Sequence, residues 1–525
     1  MRDNKNTTPL HSPSTATMWT ANVSGRSRKV WGMSIIGDSL IAWFCFWVNQ
    51  TPLIQKMFPH HSVIPFMYEK IVLLPLILKT GNNSLEVIMN AKFDDLREKY
   101  PVFTYEGYQY GIENGDLHLV FHFSIGEEIK FSPKMVLSAG EHTPDWNNFD
   151  LKQLEGIIFH IGMIELISYW KCTCSPTILV KPYSLNEDQQ WWWRKLYWYG
   201  LGEFMYKNSI ETDHLQFMNF AFPDDAKPVG ELSYPKAEDT DSVIVPIGGG
   251  KDSVVTLEDL RTTRKVVPFI INPRGATLDC ARVAGFDREE QILVLHRQID
   301  PKLLELNAQG FLNGHTPFSA MLAFYSVLLS AVTGIRDVAL SNESSANEPT
   351  IPGTYINHQY SKSLEFETDF RDYVHDWMGD SNHYYSHLRP LNELQIAERF
   401  AQYPQYFSVF KSCNVGSKEN TWCGHCPKCL FAYIILSPFI PDAKLQEIFG
   451  HDLLDDATLE QTFDELSGLS KIKPFECVGT VREVNEALRR ICNSHGDKYL
   501  LKHYVNATLA QMEDDMLEEY YNMAP

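Results

Sequence analysis

Apolar positions follow two rhythms along this chain. In Leu117-His118-Leu119-Val120-Phe121-His122-Phe123 they alternate with polar ones, which predicts a strand. Between Leu154 and Trp170 the residues Ile157, Ile158, Ile161, Ile164 and Ile167 recur at helical spacing, which predicts a helix. An aromatic-dense run follows, with Trp191, Trp192, Trp193, Tyr197, Trp198, Tyr199 and Phe204. It reads either as a stacking platform for a base or sugar, or as a packed core helix. The core reading is preferred, because aromatic side chains are usually interior.

From residue 241 the rhythm becomes strand, loop, helix. Val243 to Ile247 predicts a short strand, Gly248 to Lys251 a loop, and Ser253 to Leu260 a helix. Val266 to Ile271, Gln291 to Leu295 and Asp337 to Leu340 predict three further strands. Thr316 and Pro317 open a long apolar helix running to about Val332, with Thr316 as its N-cap and Pro317 in its first turn. Alternating strands and helices imply an α/β fold, a parallel sheet with helices on both faces. Ligands of such sheets bind beyond the carboxyl ends of the strands. The loop after the first strand falls at that edge, as does Ser341 to Glu348 after the fourth. The expected organisation is a non-essential extension over 1–65 and an N-terminal α+β domain over 66–235. A linker rich in Pro, Asp, Glu and Lys follows at Pro223 to Thr240. A parallel-sheet domain then spans 241–440, and an acidic helical region 441–525, Glu513 to Tyr521 being one helix.

Composition narrows the picture. A chain of 525 residues with 44% apolar and 21% charged residues is a soluble globular protein of two or three domains. Its formal net charge of -20, without a run of Lys and Arg, repels phosphate backbones, so no nucleic-acid partner is expected. Four of the ten cysteines crowd into one short segment, which points to a metal site and to a reducing cytoplasm. Near the start, Arg26, Arg28 and Lys29 precede an apolar stretch from Val30 to Val48, a charged region followed by a hydrophobic one. Asp38 interrupts that stretch, which is short for a membrane span, so a non-essential extension is expected and no membrane partner. Nothing in the pattern sets an oligomeric state.

The first chemical motif is Gly248-Gly249-Gly250-Lys251-Asp252-Ser253, between a strand and a helix. Three glycines let the backbone turn sharply and present bare N–H groups, and the helix N-terminus adds more donors and a positive dipole end. Together they form an anion cradle. The Ser253 hydroxyl can bond a phosphate oxygen, while Asp252 holds Mg²⁺ or orients the loop. The loop lacks the Walker A spacing. It resembles the Ser-Gly-Gly-x-Asp-Ser loop of the PP-loop ATP pyrophosphatases, which cleave ATP between the α and β phosphates, with Gly248 standing where that family usually has Ser.

The second is Cys413 with Cys423, Cys426 and Cys429, the last three in Cys-Gly-His-Cys-Pro-Lys-Cys. Thiolates so spaced can converge tetrahedrally on Zn²⁺, and four protein ligands would make the metal structural. An iron–sulfur cluster is the alternative. The arrangement resembles the zinc knuckle of 7-cyano-7-deazaguanine synthase, a PP-loop enzyme that adenylates a carboxylate; in this chain the first gap is nine residues.

Polar runs form the third group: Asn313 to Phe318, Ser341 to Glu348, Asn357 to Ser363 and Lys473 to Gly479. Unpaired, such runs would be costly in a core, and several together suggest a polar active site. With the glycine loop, and with Gly162 to Lys171 and Tyr199 to Phe204, they resemble the UDP-N-acetylmuramoyl-L-alanyl-L-glutamate epimerases of the MurL type. The resemblance covers about 115 to the end. It implies a PP-loop fold and an ATP- and Mg²⁺-dependent inversion of the terminal L-glutamate of a UDP-muramoyl dipeptide to D-glutamate. An acyl-adenylate would acidify the Cα proton and leave AMP and pyrophosphate. Expected ATP-binding residues are Gly248, Gly249, Gly250, Lys251, Asp252 and Ser253; expected substrate-binding residues are Asn342, Ser344, Asn347, Gln359 and Ser361. His315, His358, Glu343, Glu348, Lys362 and Cys477 are chemically able to move the proton, as is Cys280, and the sequence leaves the choice open. Three rivals remain: another carboxylate-activating PP-loop ligase, a tRNA-modifying PP-loop protein, and a zinc-stabilised interaction protein. An ammonia requirement, salt-sensitive nucleic-acid binding or absence of ATP binding would respectively favour them.

Overall fold

The computed structural model describes residues 18–23, 26–31, 91–351, 353–495 and 497–510. Residues 1–89 and 90–525 form two separate units. In the first, β1 (Met18–Val23) and β2 (Arg26–Trp31) pair antiparallel. Beyond Trp31 the apolar stretch to Val48 lies outside the described residues, and so does the helix expected at Glu513 to Tyr521. No helix among the described residues is long and apolar enough to cross a membrane.

The second unit is built on one mixed sheet. Its strands are β3 (Val102–Glu113), β4 (Asp116–Ile125), β5 (Ile129–Phe131), β6 (Lys134–Ser138), β7 (Thr177–Val180), β8 (Asn219–Ala221), β9 (Asp239–Pro246), β10 (Lys265–Ile271), β11 (Leu293–Gln298), β12 (Ile335–Leu340) and β13 (His383–Ser386). They run in the order β13-β12-β9-β10-β11-β6-β4-β3-β7-β8, with β5 paired to β4. From β13 to β11 every pairing is parallel, then β6, β4 and β3 form an antiparallel meander. Because β11 pairs with β6, segments 66–235 and 241–440 share a single sheet.

The alternation in Leu117 to Phe123 is realised in β4, whose residues alternate between buried and half-buried. The helix Glu155–Trp170 is apolar on nearly every side and buried from Gly156 onward, as a helix without a polar face must be. It packs against the helix Phe318–Thr333. That second helix begins later than its sequence suggests. Its N-cap is Pro317, without a side-chain bond, because the Thr316 hydroxyl is occupied by Lys171 Nζ at 2.5 Å. The third parallel strand is likewise displaced: Glu289–Gln291 forms a 3-10 turn and β11 starts at Leu293. Core packing holds most of the aromatic run. Trp193 is fully buried and stacks on Phe324 with ring centroids 5.0 Å apart, while Trp191 stays exposed.

One topological feature positions the site. β9 lies between β12 and β10, so the chain leaves β9 toward one side of the sheet and later returns on the other. Val338 of β12 lies opposite Ile244 of β9, so both parallel strands end at the same edge. The loops following them open into the crevice of this switch point, where α/β sheets bind ligands.

Candidate functional site

The glycine loop joins β9 to the helix Lys251–Leu260. Gly249 has φ +83°, a conformation that L side chains rarely adopt, and a Cβ there would lie 2.9 Å from Ala276 Cβ. Gly248 has nothing within 4 Å of its would-be Cβ. The helix N-cap, Gly250, offers no side-chain bond. Among the described residues, the N–H groups of Gly248 to Ser253 have no acceptor, so the turn presents a row of free donors at a helix N-terminus. Two side chains behave differently from expectation. Ser253 Oγ donates to Gly250 O at 3.0 Å. Lys251 is buried and is held by Asp252 Oδ1 at 2.5 Å and by Glu393 Oε2. Burial pushes the Glu393 carboxyl up to about 8, more than Lys251 facing it draws it down. Glu393 N in turn donates to Glu483 Oε1 at 2.9 Å, and Glu483 Oε2 accepts from Thr480 N at 2.7 Å. The loop is thus tied through Glu393 and Glu483 to the segment that contains Cys477.

Most of the candidate proton-moving residues converge. His358 Nδ1 bonds Glu203 Oε2, His315 Nδ1 lies 3.5 Å from the same oxygen, and the two imidazole centroids are 4.5 Å apart. Cys477 lies within electrostatic reach of His358 and Lys362. Burial alone would raise the Cys477 thiol; Lys362 and His358 overcome it and bring it down to about 6. Burial would lower His358, but Cys477 and Glu203 hold it up at about 9. At neutral pH the pair is therefore a thiolate facing an imidazolium. Burial and the charge of His358 push His315 down to about 3, leaving it neutral. Glu203, which burial would raise, is held at about 2 by His358 and Lys207. Lys362 is raised, because Cys477 and Glu343 outweigh its burial, and it also feels Asp252 of the glycine loop. Glu203, His315 and His358 lie close enough to share a divalent ion. Lys207 Nζ, 2.5 Å from Glu203 Oε1, and protonated His358 already supply cations there.

The other expected residues are spread around this cluster. Glu343 is buried and accepts from Ser345 Oγ at 3.4 Å. Glu348 pairs with Lys473. Asn342 is buried and donates to Ser386 Oγ at 3.1 Å. Ser344 and Asn347 are exposed, Asn347 Oδ1 accepting from Leu364 N at 2.8 Å. Gln359 is buried with Nε2 on Val478 O at 3.3 Å, and Ser361 is buried beside it. Cys280 lies beneath the loop with Sγ 3.7 Å from Gly249 O, and burial pushes it up to about 12, so it stays a thiol. Sequence reasoning missed Glu203, Lys171, Glu393 and Glu483 as members of this site. Glu203 and Lys171 lie inside two segments, Tyr199 to Phe204 and Gly162 to Lys171, whose charged residues within apolar runs were the available signal.

The four cysteines form a compact cage. Sγ separations are 3.8 Å for Cys413–Cys426, 3.7 Å for Cys423–Cys429 and 3.5 Å for Cys426–Cys429. A tetrahedron with metal–sulfur arms of about 2.3 Å has edges of about 3.8 Å, so the donors fit one metal ion. The cage also braces its neighbours. Lys411 N donates to Gly249 O at 2.7 Å, and a Cβ at Gly275 would lie 2.2 Å from Asn420 Cγ, so the knuckle packs directly on the glycine loop's surroundings. On the other side Asn414 Nδ2 donates to Glu476 Oε2 at 2.6 Å, next to Cys477.

Comparison with known proteins follows the same segments. The family model for the MurL N-terminal domain matches residues 94–387, and that for the MurL C-terminal domain matches 408–520. A protein of Xanthomonas oryzae pathovar oryzae is 38% identical over 341 residues, 62% of this chain and 72% of the relative. A protein of Salinispora tropica is 34% identical over 407 residues, covering 75% of this chain and 85% of its own. One from a Micromonospora species is 34% identical over 400 residues, covering 74% and 86%. All three bear the name UDP-N-acetyl-alpha-D-muramoyl-L-alanyl-L-glutamate epimerase.

Proposed function

Because this chain belongs to the MurL family, we propose that it inverts the terminal L-glutamate of UDP-N-acetylmuramoyl-L-alanyl-L-glutamate, a peptidoglycan precursor, consuming ATP to do so. The relatives' shared name supports the substrate and the reaction class. The observation that carries the residue assignment is the meeting of Cys477, His358 and Lys362, with Lys362 within electrostatic reach of both Cys477 and Asp252.

A free α-carboxylate is anionic, so pulling off the neighbouring Cα proton would add charge to charge. On this reading the N–H groups of Gly248 to Ser253 hold the polyphosphate of ATP. A substrate carboxylate oxygen attacks the α-phosphorus, the bond to the bridging β-phosphate oxygen breaks, and pyrophosphate leaves. The acyl-adenylate so formed no longer carries the carboxylate charge. Cys477 thiolate then takes the Cα proton on one face, and the Lys362 ammonium stabilises the enolate oxygen. The His358 imidazolium or the Lys362 ammonium gives a proton to the opposite face. Water attacks the acyl carbon and releases AMP with the D-glutamyl product.

Asp252, half-exposed beside the free amides, would hold Mg²⁺, which neutralises phosphate charge when bound. The Cys413, Cys423, Cys426 and Cys429 cage would hold a structural Zn²⁺; the short Sγ separations favour a single ion over an iron–sulfur cluster, whose cysteines bind different iron atoms. Free thiols at such a cage favour a reducing cytoplasm. Segment 241–440 would be the PP-loop ATP-binding part, with Glu203 and Cys477 contributed from either side and residues 1–65 dispensable.

The test is incubation of the full chain with ATP, Mg²⁺ and the UDP-muramoyl dipeptide, followed by chiral analysis of the hydrolysed glutamate. D-glutamate with AMP and pyrophosphate is expected. ADP and phosphate would overturn the adenylate, and unchanged L-glutamate the whole reading.

A further inference from the structure

A cavity of about 750 Å³ opens between the helices Glu393–Phe400 and Val481–His495 and the turn Ser344–Asn347. None of the chemistry above uses it. Among its walls are Ser345, Thr480, Arg482, Arg489 and Arg490. We propose that this cavity binds the diphosphate of the sugar-nucleotide substrate, which places the UDP end of that molecule against the arginine face; the proposal rests on the functional reading above.

Four observations support it. First, Arg482, Arg489 and Arg490 are seven and eight positions apart on one helix, so two turns bring them onto one face, and all three are exposed. In a chain of net charge -20 such a face is out of character. Second, the three arginines share the cavity with three carboxylates, Glu398, Glu483 and Glu486, so its formal charge is balanced, yet the guanidinium forks are not all tied up. Glu486 holds Arg489 Nη1 at 3.1 Å and Arg490 Nε at 3.0 Å, one carboxylate for two guanidinia. Arg482 has no carboxylate partner among the described residues. Glu398 also lines the cavity, while Glu483 turns its oxygens to Thr480 N, Thr480 Oγ1 and Glu393 N. Guanidinium forks pair with phosphate oxygens two at a time, and a diphosphate offers enough oxygens for several forks. Third, the cavity adjoins the reaction cluster. Ser344 and Ser345 follow Glu343, and Thr480 stands three residues beyond Cys477. Fourth, it lies across Glu393 from the glycine loop. The Glu393 carboxylate faces Lys251, whereas Asn392, Leu394 and Gln395 face the cavity. Two phosphate-bearing ligands can therefore be held at once, with the glutamyl end between them. The volume also falls in the usual range for a ligand of this size.

The experiment is calorimetric titration of the full chain with UDP, inorganic pyrophosphate and ATP, for wild type and the Arg482→Ala/Arg489→Ala double variant. UDP affinity is expected to fall by about tenfold or more in the variant, on the scale of lost charge-assisted hydrogen bonds, with ATP affinity unmoved and the kinetic loss borne by KM. Unchanged UDP affinity, or a loss confined to pyrophosphate, would overturn the proposal. A second measurement needs no variant: in wild type, UDP must compete with the muramoyl substrate and not with ATP, and the reverse pattern is equally fatal. If no glutamate is inverted but UDP binding still depends on the arginines, the cavity assignment survives and the reaction reading falls. If inversion occurs with KM unmoved by the double substitution, the cavity assignment falls alone.

Discussion

Replacing Cys477 by Ser separates the proton-transfer step from carboxylate activation. In the wild type the thiol sits at about 6 and the His358 imidazolium at about 9. At a pH of about 7.5 each is then roughly thirty to one in its charged form. A serine hydroxyl in the same place stays protonated, and Lys362 and His358 are left facing a neutral group. A positioned base contributes on the order of 10²–10⁴-fold, so Cα exchange is expected to fall by at least about 100-fold. The assay runs the reaction in heavy water and follows deuterium at the glutamyl Cα by mass spectrometry, with pyrophosphate exchange into ATP measured alongside. Pyrophosphate exchange should persist, because the free amides of Gly248 to Ser253 belong to a different turn. The wild-type pH profile supplies a companion reading. kcat/KM should rise as pH increases through about 6, where the thiolate forms, and fall through about 9, where the imidazolium is lost. These limbs belong to the coupled pair. Wild-type deuterium uptake in the Ser variant, or a flat profile across both limbs, would refute the reasoning.

Glu203→Gln removes one of the anions that hold His358 charged, so the alkaline limb should move acid by about 1–3 units; an unmoved limb would show that Glu203 does not act through His358. Chelation, or Cys426→Ser, should release about one zinc per chain and lower Tm by on the order of 10 °C, with ATP affinity falling because Lys411 no longer braces Gly249. Bound iron with acid-labile sulfide in the purified protein would instead establish the cluster. Gly249→Ala meets both the left-handed backbone and Ala276 and should cost about 1–3 kcal/mol, whereas Gly248→Ser, with open space around it, should shift stability by no more than about 0.5 kcal/mol. Equal costs in denaturant titrations would contradict the geometry of the turn.

What the sequence alone determined was local. The strand at Leu117 to Phe123, the core helix at Ile157 to Ile167 and the strand–glycine–helix unit at 243–260 are periodic or contiguous signals, readable because one or two turns of chain contain them. The four cysteines span only Cys413 to Cys429, so their convergence was legible from spacing. Tertiary structure decided everything that depends on distant partners. Glu203 meets His358 across 155 positions and Lys251 meets Glu393 across 142, separations at which no sequence pattern specifies a pair. The same holds for the two candidate thiols. Cys280 and Cys477 are chemically identical in the sequence, yet one is buried under the loop, where burial and Asp279 outweigh Lys411, and the other lies between two cations. A group's reactivity follows the charges and solvent around it, and only the folded chain sets those.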